Sequence, residues 1–505
     1  MVQNLLSGSV VCEHAEKTTG SITRLAFDEN GKIAGVNFNF TPINLDQGAD
    51  DAPPAAEKSL EERIEDAKAA AEEFVNYLSE DNSEDAWLMM GDALRQSVPE
   101  KDLYDAWYSS VIQNCGELTS IFEVSIDEKE RLGMVTGTVT SLHENENIAS
   151  VTQLAFNGAG EIADLFFAYA DTAGLDIEKE PVSLTESEFF TEEAIIVGEG
   201  GEYPLEGLLT VPKNTGGPVP AVVLVHGSGA SDKDETIQGN KIFKDIAHYL
   251  SENGIAVIRY DKRSYTYPMK LTQQFKGKMT VYEETIEDAI LAKDIFDKDD
   301  RFDHEKTFVL GHSLGGCLAP EIAAEGEFDG CIMMAASSRN LIDLILVQYE
   351  YLIGLADLSD EEKEAQLKPI KDAVDMYYTY EDSSDEILQS TAILNISAYY
   401  YKNLDERLNA GFFDKLEMPV LVMQGDKDYQ ASADIDFADY MARAEGKDNY
   451  TFIEYEGLYH LFMQSQTSEE GKLGTNEDYL VESHVEPQVL RDLAEFILKA
   501  EAPLQ

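Results

Sequence analysis

A serine between two glycines, placed after a short apolar run, is a pattern that can carry nucleophilic chemistry. Residues 311–315 read Gly-His-Ser-Leu-Gly, residues 308–310 before them read Phe-Val-Leu, and the residues that follow read as a helix. A G-x-S-x-G motif between a strand and a helix is typical of a nucleophile elbow, the tight turn that exposes a serine hydroxyl. Glycines at both ends of the motif let the strand and the helix approach each other closely. The sequence therefore predicts that Ser313 is a nucleophile.

A general base should accompany this serine. In hydrolases with such a turn, the acid and the base follow the nucleophile in the chain order Ser, Asp or Glu, His. Of the eight histidines in the chain, His460 and His484 come after Ser313. His460 follows a strand-like run at residues 450–455, and ligand chemistry gathers where such strands end. We expect His460 to be the base and interpret His484, in a polar stretch before the last predicted helix, as a surface residue.

The acid should follow the preceding predicted strand. Residues 419–423 read Pro-Val-Leu-Val-Met and run directly into Gln-Gly-Asp-Lys-Asp. We expect Asp428 to accept the Nδ1 proton of the imidazole, which fixes the tautomer whose Nε2 can take a proton from serine. Asp426 is the alternative.

An ester carbonyl becomes an oxyanion in the tetrahedral intermediate, so backbone amides should point at it. One predicted donor is the amide of Leu314, the residue after the nucleophile. The other should come from the loop after the strand at residues 221–225, where residues 226–229 read His-Gly-Ser-Gly. We assign that donor to Ser228. His226 precedes the nucleophile in the chain, so we expect it to hold this loop in shape.

These motifs together resemble the α/β-hydrolase superfamily, and more narrowly the bacterial serine carboxylesterases. The resemblance rests on His-Gly-Ser-Gly at 226–229, Asp-Glu-Thr at 234–236 and Arg-Tyr-Asp-Lys-Arg at 259–263, and it covers the chain from about residue 190 onward. It implies the same triad as the elimination above: Ser313, Asp428 and His460. Cys317 departs from the family pattern, and we interpret it as a small packed residue rather than a second nucleophile.

The composition indicates a globular protein with a strongly acidic surface. The 505 residues are 43% hydrophobic and 10% aromatic, which is ample for packed cores. Against 38 Lys and Arg stand 97 Asp and Glu, for a net charge of −59 and a pI near 4.2. Such a charge argues against nucleic-acid or anionic-membrane partners. We therefore expect a solvated acidic surface and a small-molecule partner.

The cysteines and the hydropathy say little about metals or membranes. Cys12, Cys115, Cys317 and Cys331 include no C-x-x-C pair, so neither a zinc site nor a disulfide scaffold is indicated. No stretch is long and apolar enough to span a membrane, and the first residues lack a basic and an apolar region of a signal peptide. We expect an extracellular or cell-surface location with the export signal absent from this chain; the cytoplasm is the alternative.

An internal repeat organises the first third of the chain. Residues 21–27 (Ser-Ile-Thr-Arg-Leu-Ala-Phe) match residues 150–156 (Ser-Val-Thr-Gln-Leu-Ala-Phe). The two segments start 129 residues apart, at 21 and 150. A period of this size indicates a duplicated domain rather than a solenoid. We predict a complete α+β domain at 57–175, which resembles a small domain similar to nuclear transport factors, and a partial copy at 1–50 with only its strand half. Strands without covering helices have edges that can pair with another chain, so we expect that the protein can form a homo-oligomer through this segment.

From residue 186 to 505, alternating strands and helices predict an α/β-hydrolase domain with a doubly wound, mostly parallel sheet. Residues 337–418 interrupt that alternation with helices rich in Leu, Ile and Tyr. We predict that this insertion is a helical cap over the active site.

The sequence therefore predicts a serine carboxylesterase. It would hydrolyse short- to medium-chain or aryl esters through an acyl-enzyme intermediate, with no metal or organic cofactor. A peptidase or an acyltransferase with the same triad stays open, as does a non-catalytic surface binding protein that keeps the fold.

Overall fold

The computed structural model describes residues 58–127, 134–175, 177, 183–468 and 472–500, and three strands between residues 6 and 41. The chain separates into two compact units, Met1–Lys179 and Glu180–Gln505. Residues 42–57, which would join the two predicted copies of the small domain, lie outside the described residues.

The first unit begins with a three-stranded antiparallel sheet in the order β1-β2-β3. These strands are β1 (Leu6–Glu13), β2 (Gly20–Phe27) and β3 (Ile33–Thr41). The pairing of β2 with β3 shifts register between Ala26 and Phe27. The matching strands of the second copy shift between Ala155 and Phe156, the equivalent positions of the repeat. The two pairings thus share an irregularity at equivalent positions, and the duplication and the partial copy stay predictions.

The rest of the first unit has helices followed by a four-stranded antiparallel sheet, in the order β4-β5-β6-β7. The helices are α1 (Leu60–Ser79), α2 (Ser83–Leu88), α3 (Asp92–Ser97), α4 (Glu100–Trp107) and α5 (Gln113–Cys115), with a π turn at Tyr108–Ile112. The strands are β4 (Leu118–Ile126), β5 (Val135–His143), β6 (Ile148–Phe156) and β7 (Ile162–Asp171). Ser59 caps α1 through a capping box with Glu62.

The second unit alternates strands and helices. Its strands are β8 (Phe190–Val197), β9 (Leu205–Pro212), β10 (Val219–Val225), β11 (Thr236–Ile237), β12 (Asn240–Lys241), β13 (Ala256–Tyr260), β14 (Phe302–His312), β15 (Gly330–Met334), β16 (Ala392–Ile393), β17 (Ile396–Ser397), β18 (Val420–Gly425) and β19 (Tyr450–Tyr455). Its helices are α6 (Ile242–Glu252), α7 (Arg263–Thr266), α8 (Pro268–Phe275), α9 (Glu287–Asp297), α10 (Leu314–Glu325), α11 (Leu341–Leu355), α12 (Asp360–Tyr380), α13 (Asp385–Ser390), α14 (Ala398–Leu408), α15 (Ala438–Arg443) and α16 (Pro487–Lys499).

An eight-stranded sheet in the order β19-β18-β15-β14-β10-β13-β9-β8 forms the centre of this unit. The six neighbouring strands β19, β18, β15, β14, β10 and β13 pair in parallel. At the end of the sheet beyond β13, β9 pairs antiparallel with β13, and β8 pairs antiparallel with β9. This topology confirms the predicted α/β-hydrolase fold with a mostly parallel sheet. Strands β13, β15 and β18 are buried along their whole length, because helices cover both faces.

The two faces of β10 show how the core is divided. Ala221, Val223 and Val225 pack on the side of α9 and α10, while Val222 and Leu224 pack on the side of α6 and α16. Side chains alternate between the faces of a strand, so this apolar run supplies both layers.

The segment at 337–418 lies between β15 and β18 and contains helices α11 to α14. It has a small core of its own, made by Ile342, Val374, Tyr377, Leu388, Ile393, Ala398 and Tyr401. Among the described residues, none of the helices combines the length and the apolar character that crossing a bilayer requires.

A buried ion network joins the antiparallel edge of the sheet to the loop after β10. Arg259 on β13 is 1% exposed and donates to Glu192 Oε1 at 2.7 Å, to Asp234 Oδ1 at 2.8 Å and to Thr210 Oγ1 at 2.9 Å. Although burial opposes ionisation of Glu192, its hydrogen bonds from His248 and Arg259 hold the pKa of that carboxyl well below its ordinary value.

Replacing Arg259 with Met should lower the free energy of unfolding by about 3–5 kcal/mol, because it removes the buried guanidinium from the carboxylates of Glu192 and Asp234. Arg301 provides a matched control. It pairs at 2.6 Å with Glu193, the neighbour of Glu192 on β8, but its side chain is about half exposed. Arg301→Met should cost less than about 1 kcal/mol. Urea denaturation of both variants measures the difference; equal midpoints would contradict a stabilising role for the buried network.

Candidate active site

The predicted site residues lie on loops at the carboxyl ends of the parallel strands of the central sheet. Strands β10, β14, β18 and β19 are parallel, with Val225 opposite Gly311 and Gly425 opposite Tyr455. Loops that leave the carboxyl ends of these strands therefore start side by side. They carry Ser228, Ser313, Asp428 and His460.

Ser313 lies on the turn between β14 and α10 in a strained backbone conformation. Its φ is +55° and its ψ is −118°, which residues with a Cβ rarely adopt. A Cβ on Gly311 would lie 2.0 Å from Gly315 O, and a Cβ on Gly315 would lie 2.2 Å from Val225 O. Both glycines are therefore required by close contact between strand and helix. The turn is anchored by a hydrogen bond from Ser313 N to Met334 O at 2.9 Å.

Asp428 and His460 form a buried pair, although 32 residues separate them in the sequence. His460 Nδ1 is 2.8 Å from Asp428 Oδ2. The other oxygen, Asp428 Oδ1, accepts hydrogen bonds from the amides of Gln430 at 2.7 Å and Ala431 at 3.1 Å. This arrangement holds the carboxylate in place and engages Nδ1 of the imidazole, while Nε2 has no hydrogen-bond partner among the described residues.

The two alternatives from the sequence lie elsewhere. Asp426 Oδ1 accepts from Gly457 N at 2.6 Å, and its Oδ2 is 2.9 Å from Lys427 Nζ, so it fastens the turn after β19. His484 has an 83% exposed side chain and pairs with Asp245 at 3.1 Å. Neither alternative contributes to the Asp428–His460 pair.

Two backbone amides flank Ser313. Gly227 lies against Ser313, since a Cβ built on it would be 3.1 Å from Ser313 Cβ. In the part of the chain that the structure describes, no acceptor is bound to the amides of Ser228 or Leu314. The next residue after Gly227 and the next residue after Ser313 thus offer donors for a ligand.

His226 and Cys317 have supporting positions. His226 is buried between Phe243 and Tyr260, and its Nε2 is 3.0 Å from Asp232 O. Burial lowers the pKa of His226 to about 4, so the ring is neutral near pH 7. Cys317 Sγ donates to Ser313 O at 3.3 Å and to Ser337 O at 3.2 Å, and removal from water raises the pKa of this thiol to about 12. Cys317 is therefore a protonated thiol at neutral pH.

A second acid–histidine pair, which the sequence did not single out, lies beneath the elbow. His312 Nδ1 is 3.1 Å from Glu235 Oε2, and both side chains are at most 2% exposed. Glu235 Oε1 also accepts from Gly227 N at 2.6 Å, while His312 Nε2 is 3.0 Å from His460 O. The pair therefore connects the loop after β10, the residue before Ser313 and the backbone of His460. A glutamate in the loop motif at 234–236 was visible in the sequence, but its partner was not.

The helical insertion contacts the loop that carries Asp428. Tyr351 on α11 stacks on Tyr429, with ring centroids 5.7 Å apart, and its hydroxyl donates to Leu473 O at 2.9 Å. Gln348 Nε2 donates to Gln430 O at 3.3 Å. The first helix of the insertion thus packs next to the candidate acid.

Comparisons with known sequences agree with this fold. Residues 222–470 match the sequence profile of a family described as the alpha/beta hydrolase family. Esterase EstD of Thermotoga maritima is 33% identical over 429 residues, which cover 84% of this chain and 94% of that protein. Among solved structures, Est1E from Butyrivibrio proteoclasticus is 16% identical with a TM-score of 0.37, covering 61% of this chain and 98% of that one. An esterase of Pyrococcus furiosus is 13% identical with a TM-score of 0.37, covering 62% and 91%.

The Glu235–His312 pair should make stability depend on pH. Burial disfavours charge on both groups, but the attraction of Glu235 raises the pKa of His312 above its ordinary 6.5, and that of His312 lowers the pKa of Glu235 below its ordinary 4.5. The stabilisation is therefore complete between these two ordinary values. It is lost as pH rises through the folded pKa of His312, and also as pH falls through that of Glu235.

Glu235→Gln should consequently lower the free energy of unfolding by about 1.5–3 kcal/mol near pH 6, with a smaller loss near pH 9. Urea denaturation across this range measures the effect. His484→Gln, at an exposed histidine, should leave the wild-type pH profile unchanged. A constant difference between wild type and Glu235→Gln at every pH would contradict an ion pair.

Proposed function

This chain belongs to the α/β-hydrolase family and is a carboxylic ester hydrolase, and we propose that it is a serine esterase that works through an acyl-enzyme on Ser313. The observation that carries the proposal is the 2.8 Å contact between His460 Nδ1 and Asp428 Oδ2, buried at the sheet edge that also presents Ser313. The Thermotoga maritima relative is itself named an esterase, which supports the reaction class.

In the proposed first half-reaction, Ser313 Oγ attacks the ester carbonyl while His460 Nε2 takes the hydroxyl proton. Asp428 keeps the Nδ1 proton of His460 in place and stabilises the imidazolium. The amides of Leu314 and Ser228 donate to the oxyanion, and such donors each contribute about 3–4 kcal/mol of transition-state stabilisation in serine hydrolases. The tetrahedral intermediate collapses, the bond to the alcohol oxygen breaks, and His460 gives its proton to the departing alcohol.

In the second half-reaction, water replaces the alcohol. His460 removes a proton from the water, whose oxygen attacks the acyl carbon on Ser313. The acid leaves, and the proton returns to Ser313. The proposed chemistry uses side chains and backbone amides alone.

We further propose that the helical insertion selects short- to medium-chain or aryl esters. Its support is the contact of α11 with the loop of Asp428, where Tyr351 stacks on Tyr429. A rigid aromatic pair beside the acid limits the room for an acyl chain and offers a flat apolar face to an aryl group.

Ser313→Ala and His460→Ala should each reduce hydrolysis of p-nitrophenyl esters by at least about 10⁴-fold, because triad members act as a unit. Asp428→Asn should be impaired by about the same factor, since the wrong tautomer of His460 is then favoured. Asp426→Asn is the matched control and should stay near wild type. Wild-type activity in Asp428→Asn together with an inactive Asp426→Asn would overturn the assignment of the acid.

The class of scissile bond is tested in parallel. Amide and peptide substrates with the same acyl groups should turn over far more slowly than the esters. Faster cleavage of the amides would favour a peptidase that uses the same residues.

Tyr351→Ala should raise kcat/KM for long-chain esters relative to acetate, by about 10-fold, because the removed ring opens several methylene positions. Tyr349→Ala is the control on the same helix, where the side chain is 46% exposed. A series of p-nitrophenyl esters of increasing chain length gives the ratio. An unchanged chain-length profile in Tyr351→Ala would count against the insertion as the specificity element.

A further inference from the structure

Two buried charges hold the backbone of Gly227 from opposite ends. Its N–H donates to Glu235 Oε1 at 2.6 Å, and its carbonyl oxygen accepts from Lys262 Nζ at 2.8 Å. Lys262 is only 2% exposed. An ammonium group in the interior is unfavourable unless it is paired and hydrogen-bonded, so its position on a backbone carbonyl beside the nucleophile calls for a reason.

We propose that Lys262 is a positioning residue for oxyanion stabilisation: by holding the Gly227 carbonyl, it aims the N–H of Ser228 at the ester bound to Ser313. The inference rests on the proposed function and deepens it. Lys262 itself does not touch the reacting atoms in this account; it acts through the peptide between Gly227 and Ser228.

The planar trans peptide between Gly227 and Ser228 links the orientations of its carbonyl and its N–H. The carbonyl of one residue and the N–H of the next belong to the same rigid plane and point in opposite directions. With the Gly227 oxygen directed into the interior at Lys262, the Ser228 N–H must face outward. The burial of the two residues agrees, since Gly227 is buried and Ser228 is exposed. Gly227 also lies against Ser313, with a Cβ built on it 3.1 Å from Ser313 Cβ, so this peptide is close to the proposed nucleophile.

The charge on Lys262 adds to the orientation. A cation on a carbonyl oxygen polarises the peptide and strengthens its N–H as a donor, an effect of about 10–30% per hydrogen bond in a chain. The amide at Ser228 is thus both aimed and strengthened before an oxyanion forms, which is the preorganisation that such catalysis needs.

Lys262 is in turn fixed from the helical insertion. Glu284 Oε1 lies 3.3 Å from Lys262 Nζ, and Glu284 Oε2 accepts a hydrogen bond from the hydroxyl of Tyr400 on α14. Glu284 is 6% exposed, and Tyr400 is also 6% exposed. Glu284 therefore neutralises the Lys262 ammonium, and the ammonium orients the Gly227 carbonyl. Packing sets the positions of both partners.

Lys262→Met tests the proposal, because it keeps the length of the side chain and removes the donor and the charge. For a short p-nitrophenyl ester, kcat should fall by about 10- to 100-fold, below the full effect of losing an oxyanion donor, with KM changed by less than about 2-fold. A trifluoromethyl ketone forms an oxyanion adduct with serine, so its affinity should fall by the same factor as kcat/KM. Lys293→Met is the matched control: Lys293 is 9% exposed and pairs with Asp297 at 2.8 Å on α9. It should leave both quantities at wild-type values.

Thermal melting shows whether Lys262→Met folds. If it does not, Tyr400→Phe measures the same link, since it frees Glu284 while keeping the ring. That variant should lower kcat and ketone affinity together by about 2- to 5-fold, a smaller step because Lys262 remains. Unchanged kcat and ketone affinity in a folded Lys262→Met would overturn the proposal, as would a fall in kcat with undiminished ketone affinity. Unchanged values in Tyr400→Phe would overturn it where Lys262→Met is unfolded.

Ser313→Ala, measured beside these variants, separates this inference from the function on which it rests. Retained turnover in Ser313→Ala would refute the proposed triad itself. An inactive Ser313→Ala with a fully active Lys262→Met would leave the triad intact and refute the positioning role alone.

Discussion

Ser313 occupies a left-handed backbone conformation, and the rest of the site is built around the turn that imposes it. The φ of +55° is strained for a residue with a Cβ and costs about 1–3 kcal/mol. It persists because β14 and α10 are pressed together at Gly311 and Gly315, where a Cβ would clash with backbone atoms. The Ser313 hydroxyl is therefore held at a fixed place, and the loops of the neighbouring parallel strands carry the proposed acid, base and amide donors on the same side of the sheet.

Buried charged side chains fix the loops beside Ser313, in a protein whose net charge is −59. The strand end at residues 259–263 supplies three cations to the interior, each at most 3% exposed. Arg259 fixes Asp234, Lys262 fixes the carbonyl of Gly227, and Arg263 pairs with Asp288 through Nε at 3.0 Å. Since Glu235 and His312 join the same loop to the elbow, the loop that carries Ser228 is held by charge–charge and charge–dipole contacts, and charge-assisted hydrogen bonds are strong. The acidic surface and the buried ion pairs thus have separate roles.

Local patterns in the sequence predicted the parallel sheet, because β10 and the first residues of β18 are apolar runs followed by turn motifs. They also led to Asp428 and His460, since chain order and strand ends leave few candidates. The Glu235–His312 pair and the Lys262–Gly227 contact could not be predicted in this way. Their members are 77 and 35 residues apart, and only the packing of three different strand ends decides which charge meets which backbone atom. The helical insertion was visible as a break in alternation, but its contact with Tyr429 depends on side chains packed across the fold.

The central claim is that Ser313 carries the acyl group during turnover. Rapid mixing of the wild-type protein with p-nitrophenyl acetate, followed by acid quenching and peptide mapping by mass spectrometry, tests it directly. The account predicts a burst of nitrophenol close to one equivalent and an acetyl group on the peptide that contains residues 311–315. Turnover without an acyl adduct, or an adduct on Cys317 or another residue in place of Ser313, would contradict it.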